Sequence, residues 1–281
     1  MQYIAGKVPY IKYLKINHGI KHFKDLYAKT EFIKELGNKK NVICSSPFEY
    51  ELYMKVLKYN PNQVYNASLS RYERFKYIKI NNSEAKCILA SFTYRSFNRS
   101  IFEKSQYKKN LDKFLNNKKL INFLIRKNIE LIYIPHHREV ELGKHYFTDS
   151  YRYTKILNQS NLEHCIERCS LLVTDFSSLS FDFMFQNKPV LFFSIDKNDT
   201  NTIIEKKFMK EPNDTIYFGN FFSNQYLLIN KIKYYINNNF TIGNDLQHKY
   251  ESVFHCRDNI HKRLSEIINK IVSKKIISKN L

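Results

Sequence analysis

The chain has 281 residues, 43% of them hydrophobic, and a formal net charge of +20. That length and apolar content fit one large or two modest globular domains. The charge favours anionic partners: nucleotide diphosphates, polyanionic polymers, acidic lipid headgroups or nucleic acid. No run of ~18 apolar residues is present, which excludes a spanning helix of ordinary length. The first thirty residues lack a continuous apolar core, so no signal peptide is expected. Cysteines at 44, 87, 165, 169 and 256 show no disulfide-scaffold spacing, so a reducing compartment is expected.

Met1–Tyr13 reads as irregular. Ile20–Leu36 carries apolar residues at three- and four-residue steps, predicting a helix closed by Gly37. Asn41–Ser45 reads as a strand. Ser46-Pro47-Phe48-Glu49 is a capping box with proline at the first helical position, predicting a helix to about Tyr59. Arg71–Asn82 is basic and aperiodic and is placed as the interdomain linker. Strands are expected at Lys86–Ser91, Glu130–Ile134 and, briefly, within Tyr151–Leu157, with one long helix over Ser105–Lys127. Asn161–Cys169 reads as a helix. Cys165 and Cys169 lie four apart beside His164, but no second ligand pair accompanies them, so they are expected to be core thiols.

Ser170–Phe193 reads as strand, turn, helix, strand. Leu171–Val173 is a short apolar run. Ser178 can cap a helix through Phe185, Asn187 can close it, and Val190–Phe193 is a second apolar run. A helix N-terminus just past a strand offers free N–H groups and a partial positive charge, which suits a phosphate or diphosphate. Ser194–Lys210 is polar and irregular, and Ile216–Phe218 is strand-length. Helices are expected over Asn224–Asn237, Asn244–Phe254 and Asp258–Lys270, with a basic tail over Ser273–Leu281.

Thr174-Asp175-Phe176-Ser177-Ser178, followed by Asp182, resembles a T-D-Y-S-S-x-x-F-D signature, with Phe176 in the tyrosine place. His18-Gly19 with Lys21 is similar to H-G-[TI]-x-x-K. Val64–Glu73 is a worn T-G-x-P-R-x-D in which Arg71 stands, while Ser68, Ser70 and Glu73 replace glycine, proline and aspartate. Ser45-Ser46-Pro47-Phe48-Glu49, Phe92-Thr93-Tyr94-Arg95, Pro135-His136-His137 and the closing stretch from Phe254 to Leu264 add weaker echoes. Together these resemble the CDP-glycerol glycerophosphotransferase family, the teichoic-acid and capsule polymerases of GT-B fold. The resemblance implies His18 as general base on the acceptor hydroxyl, a task suited to the side chain that titrates nearest neutral pH. It implies His136 and Arg95 on the donor phosphates, and Ser177 and Ser178 with the following helix N-terminus around the diphosphate. Thr174, Asp175 and Asp182 would shape the turn or meet polyol or ribose hydroxyls, and Arg71 would hold a phosphate. The polar loop after Phe193 would be a donor-proximal lid.

Strand and helix alternate along most of the chain, so the fold class is α/β with parallel sheets. The resemblance makes it GT-B-like, with two Rossmann-like lobes facing each other across a cleft. The expected division is 1–82 for an acceptor lobe, 83–272 for a nucleotide-binding lobe and 273–281 for a tail. Only seventeen residues precede His18, so the first lobe is expected to be shortened. The implied reaction moves glycerol phosphate from a CDP-activated polyol to a hydroxyl of a glycan or polyol-phosphate chain, releasing CMP. The implied place is cytoplasmic, peripheral on the inner face of an anionic membrane. No acidic cluster suggests a metal cage, while magnesium carried by the donor diphosphate is compatible. Three other readings stay open: a nucleotide-sugar glycosyltransferase of the same fold, a non-catalytic family member, and a basic module for RNA or membrane. No RNA-binding motif is evident, which disfavours nucleic acid as partner.

Overall fold

Short apolar runs bounded by polar turn residues pair side by side when both faces of the sheet are covered. In the computed structural model of the chain, Cys87–Ala90 (β4), Glu130–Tyr133 (β5), Lys155–Ile156 (β6), Leu171–Thr174 (β7), Val190–Phe193 (β8) and Phe221–Phe222 (β9) make one such sheet. The structure describes residues 14–15, 41–77, 86–93, 95, 99–136, 139–140, 153–196, 218 and 220–277. The sheet order is β6-β5-β4-β7-β8-β9, and every pair is parallel. Counted from β4, this is the order 3-2-1-4-5-6 of a doubly wound nucleotide-binding fold. The order reverses between β4 and β7, where Ile88 aligns with Leu171 and Ala90 with Val173.

The chain divides into two units. One holds Lys21–Ala28 and Arg74–Ser252 and contains the six-stranded sheet. The other holds Met1–Ile20, Lys29–Glu73 and Val253–Leu281. Among its described residues Leu14–Lys15 (β1), Asn41–Cys44 (β2) and Val64–Asn66 (β3) form a parallel sheet in that order. Val42, Cys44, Tyr53, Tyr59 and Val64 build a core beside it. The expected boundary therefore needs correcting at the C-terminus, because Val253 onward packs with the N-terminal segment. The contacts explain why. Ser45 O accepts the His255 N–H at 3.1 Å, and Tyr72 meets Phe254 edge to face. Glu73 Oε2 accepts the Ile260 N–H at 2.7 Å, which caps Ile260–Ile277 (α9), and Arg263 Nε donates to Asn66 O at 2.6 Å. α9 also runs seven residues past the expected Lys270, into the stretch expected to be tail.

Other elements follow their caps. Ser46 accepts the Glu49 N–H at the start of Pro47–Glu51 (α1), and Glu49 Oε2 accepts the Ser45 N–H, one residue before the usual capping-box partner. The expected helix to Tyr59 instead passes into a π-helical turn over Leu52–Val56. In the sheet unit, Arg99–Lys104 (α2) leads to Gln106–Leu115 (α3) and Lys118–Lys127 (α4). The single helix expected over 105–127 is thus two. Asn117 takes up the Leu120 N–H with its side chain and restarts the helix, a use of asparagine that competes with helix continuation. Leu162–Arg168 (α5), Leu179–Phe185 (α6), Gln225–Asn237 (α7) and Asn244–Glu251 (α8) are further helices of this unit. The strand expected at Ile216–Phe218 lies, apart from Phe218, outside the described residues. Phe218 has φ 53° in a turn, and Phe221–Phe222 pair with β8.

Candidate donor site at the strand-order reversal

The loops after β4, β5, β7 and β8 share the C-terminal edge of the sheet, the edge where doubly wound folds bind ligands. β7 ends at Thr174, whose hydroxyl donates to Ser91 O at 2.6 Å and locks the two central strands together. Asp175 follows, buried, and accepts the Thr93 N–H at 2.9 Å and the Thr93 hydroxyl at 2.7 Å. Arg95 closes the cluster. Its Nη2 lies 2.7 Å from Asp175 Oδ2, its Nε donates to Asp196 Oδ2 at 2.8 Å, and its Nη1 donates to the Thr93 carbonyl at 2.7 Å. The guanidinium also stacks 4.7 Å over the Tyr107 ring. Burial alone would pull Arg95 down, but Asp175 and Asp196 outweigh it and hold the cation above its ordinary range.

This arrangement corrects the expectation that Arg95 presents itself to a diphosphate. At 1% exposure, with two carboxylates and a threonine on its N–H groups, it braces the loops from behind. Thr174, Asp175 and Asp182 are likewise buried, so of the two roles offered for them the geometry favours shaping the turn. Ser177 and Ser178 are half-buried at the mouth of the turn. Ser178 occupies the cap position of α6 but already has helical φ and ψ, and it makes no side-chain cap bond. Ser177 Oγ accepts the Leu179 N–H at 3.2 Å instead. At the far end Asn187, at φ 55°, donates to Met184 O and Lys188 N donates to Phe183 O, a paired closure that fixes the length of α6.

His136 follows β5 and is half-buried. Its backbone N–H donates to Glu139 Oε2 at 3.3 Å, and the Tyr133 hydroxyl donates to the same oxygen at 3.2 Å. Burial pushes the Glu139 carboxyl up to about 7, and its Oε1 has no hydrogen-bond partner among the described residues. Arg71 belongs to the other unit, where it lies 5.1 Å over the Tyr72 ring. His18 lies outside the described residues, as does 197–217, which holds most of the expected lid. The structure therefore brings His136, Thr174, Asp175, Ser177, Ser178, Asp182 and Arg95 into one unit, and Arg71 into the other. Sequence reading missed Thr93, Glu139 and Asp196. The available signals were slight: Glu139 stands three residues after His136, and Asp196 three after the end of β8. The thiols Cys87, Cys165 and Cys169 are buried, with Cys87 and Cys169 sulfurs 3.0 Å apart. Among the described residues no group of three or more His, Cys, Asp or Glu is placed to hold a metal ion.

The family model described as CDP-Glycerol:Poly(glycerophosphate) glycerophosphotransferase matches residues 7–272. The chain belongs to this family. Among curated relatives, the minor teichoic acid biosynthesis protein GgaB of Bacillus subtilis strain 168 is 24% identical over 182 residues, 62% of this chain and 19% of GgaB. The chain thus spans about a fifth of that relative. Among solved structures, the wall teichoic acid polymerase TagF aligns with TM-score 0.63 and 14% identity, covering 95% of this chain and 69% of that chain. A histidine-to-asparagine TagF variant soaked with CDPG aligns at TM-score 0.64 and 15% identity, covering 98% and 71%. These likenesses show the GT-B fold. Within the family frame, Asp182 and the two serines of the signature stand on one short helix and its turn, and Arg95 bridges that turn to the loop after β8.

Proposed function

We propose that this chain transfers glycerol phosphate from CDP-glycerol to a hydroxyl of a polyol-phosphate or glycan acceptor and releases CMP. The observation that carries the reading is the reversal of strand order between β4 and β7. There the family signature forms a turn with two half-buried serines, braced from behind by Arg95, Asp175 and Asp196. Such a turn suits a diphosphate, because hydroxyls and backbone N–H groups at its mouth can meet the phosphate oxygens.

In the reaction the acceptor oxygen bonds to the β-phosphorus while the bond from that phosphorus to the bridging oxygen breaks. CMP departs with the electron pair, and the acceptor proton passes to a base, the role the family resemblance gives His18. Ser177, Ser178 and His136 would meet the diphosphate. Arg95 is a positioning residue, acting through Asp175 and Thr93. Most of the rate would come from in-line placement and charge stabilisation. Magnesium, where present, would travel with the donor. No helix among the described residues is long and apolar enough to cross a membrane. Contact with the inner face of an anionic membrane would therefore be peripheral, drawn by the +20 charge.

The test is CMP release from CDP-glycerol and CDP-ribitol by the wild type, His18→Ala and His136→Ala. Turnover is expected in the wild type and lost in both variants, with donor binding better preserved in His18→Ala. Turnover of UDP-sugars in place of CDP-polyols would make the chain a nucleotide-sugar glycosyltransferase instead. An unchanged rate in either variant removes that histidine from the mechanism.

A further inference from the structure

A groove of about 1100 Å³ runs along one face of the sheet unit, between α3 and the start of α4 on one side and α7 on the other. Lys104, Lys113, Lys118, Lys119 and Lys233 line it, against Asp196 as its single carboxylate. Asp196 is 3% exposed and already occupied by Arg95, so the groove presents almost pure positive charge. Across the chain the ratio is 46 basic to 26 acidic residues, and the groove leans further in the same direction. None of the five lysines has a carboxylate within salt-bridge distance among the described residues. Lys108, on α3 but outside the groove, is by contrast paired with Asp112. Lysines without a carboxylate partner gathered on a concave wall repel one another, even with Lys233 resting over the Phe123 ring, and a bound anion relieves that cost.

The groove also touches the donor turn. Its wall includes Phe193, Ser194, Ile195 and Asp196, the segment leaving β8, and Asp196 joins through Arg95 to Asp175. Asn110 fixes that wall by donating its side-chain amide to Ile195 O. An extended ligand along the lysines would thus reach the edge of the sheet where the donor is proposed to sit. We propose that this groove holds the phosphate-bearing polyol chain of the acceptor, as a subsite separate from the reacting hydroxyl. The proposal rests on the transferase reading for the ligand's identity, repeated phosphates on a flexible backbone; the groove by itself calls for an extended anion. Lysines read phosphate as point charges without demanding a fixed geometry, which suits a chain that must slide by one unit per addition.

The experiment is fluorescence anisotropy with labelled inorganic polyphosphate over a salt series, using the wild type, the groove variant Lys113→Gln/Lys118→Gln/Lys233→Gln, and a charge-matched control, Lys55→Gln/Lys249→Gln/Lys262→Gln. The groove variant should bind at least about tenfold more weakly, with the salt slope reduced by about two. The control should bind as the wild type does. Equal loss in both triples would show a general effect of net charge and overturn the proposal. So would anionic phosphatidylglycerol vesicles or RNA being the ligand lost in the groove variant while polyphosphate binding persists. In transfer assays the groove variant should raise KM for long glycerol-phosphate acceptors more than for short ones, and equal effects on both would overturn the subsite. Binding is read without turnover. A chain that binds polyphosphate through these lysines but transfers from no CDP-polyol would uphold the groove and remove the reaction.

Discussion

The two central strands of the large sheet, β4 and β7, end in opposite chemistry. At their C-terminal edge the buried groups are ions: Arg95 between Asp175 and Asp196. At their N-terminal edge they are thiols: Cys87 against Cys169, with Cys165 also buried. Both ends are shut away from water, yet the ionic end is the one that adjoins the two signature serines and the loop of His136. A buried ion pair is a costly way to stabilise a protein, because desolvation cancels most of the attraction. Thiols fill the same kind of space at little cost. The contrast argues that the ions are kept to hold loop positions, whereas the thiols only pack.

The largest expected effect tests that contrast directly. Asp175→Ala leaves Arg95 buried with one of its two carboxylates and strips the Thr93 N–H and hydroxyl of their acceptor, so unfolding free energy should fall by ~3–5 kcal/mol in urea titration. Cys169→Ala at the other end removes only packing and a weak contact. A loss of ~1–2 kcal/mol is expected, and a loss equal to that of Asp175→Ala would erase the distinction.

Between these in size is a pH effect at the ionic edge. Glu139 is held near 7 by burial, above its ordinary 4.5. The fold therefore binds this proton more tightly than the unfolded chain does. The stability it confers is complete below pH about 4.5, and it is lost as pH rises through 7. The span is on the order of 3 kcal/mol. Glu139→Gln should flatten that decline between about pH 5 and pH 8, measured as urea midpoints at the two pH values. Parallel declines in variant and wild type would mean the carboxyl is already ionised in the fold.

The smallest effects separate the two serines. Ser177→Ala removes the hydroxyl that caps α6 and should cost about 1 kcal/mol. Ser178→Ala removes no cap bond and should stay within about 0.5 kcal/mol. Calorimetry with CDP-glycerol should show weaker binding for both. If affinity falls only where stability falls, the serines serve the helix and not the donor.

Much of the ionic edge could be read from the chain because its parts are local. A strand, a turn rich in hydroxyls and a helix fit within Leu171–Phe185, and each announces itself by apolar runs and cap residues. Arg95 was visible as a residue but not in its role, since its partners Asp175 and Asp196 lie 80 and 101 positions away. The worn segment Val64–Glu73 shows the same limit. Its changed residues Ser68 and Glu73 looked like losses. In the fold Ser68 donates to Cys256 O and Glu73 caps α9, so both hold the closing segment.

The sequence alone settled what short-range forces settle: the central strands β2, β4, β5, β7 and β8, where Asn187 closes its helix, and that one turn carries the family's hydroxyls. Only the tertiary structure decided that Val253–Ile277 joins the first unit and that Arg95 faces inward. The same holds for the five lysines that share one groove. Each of those outcomes depends on which distant groups compete for the same buried space. That competition is decided by desolvation and pairing across the fold, and spacing along the chain does not encode it.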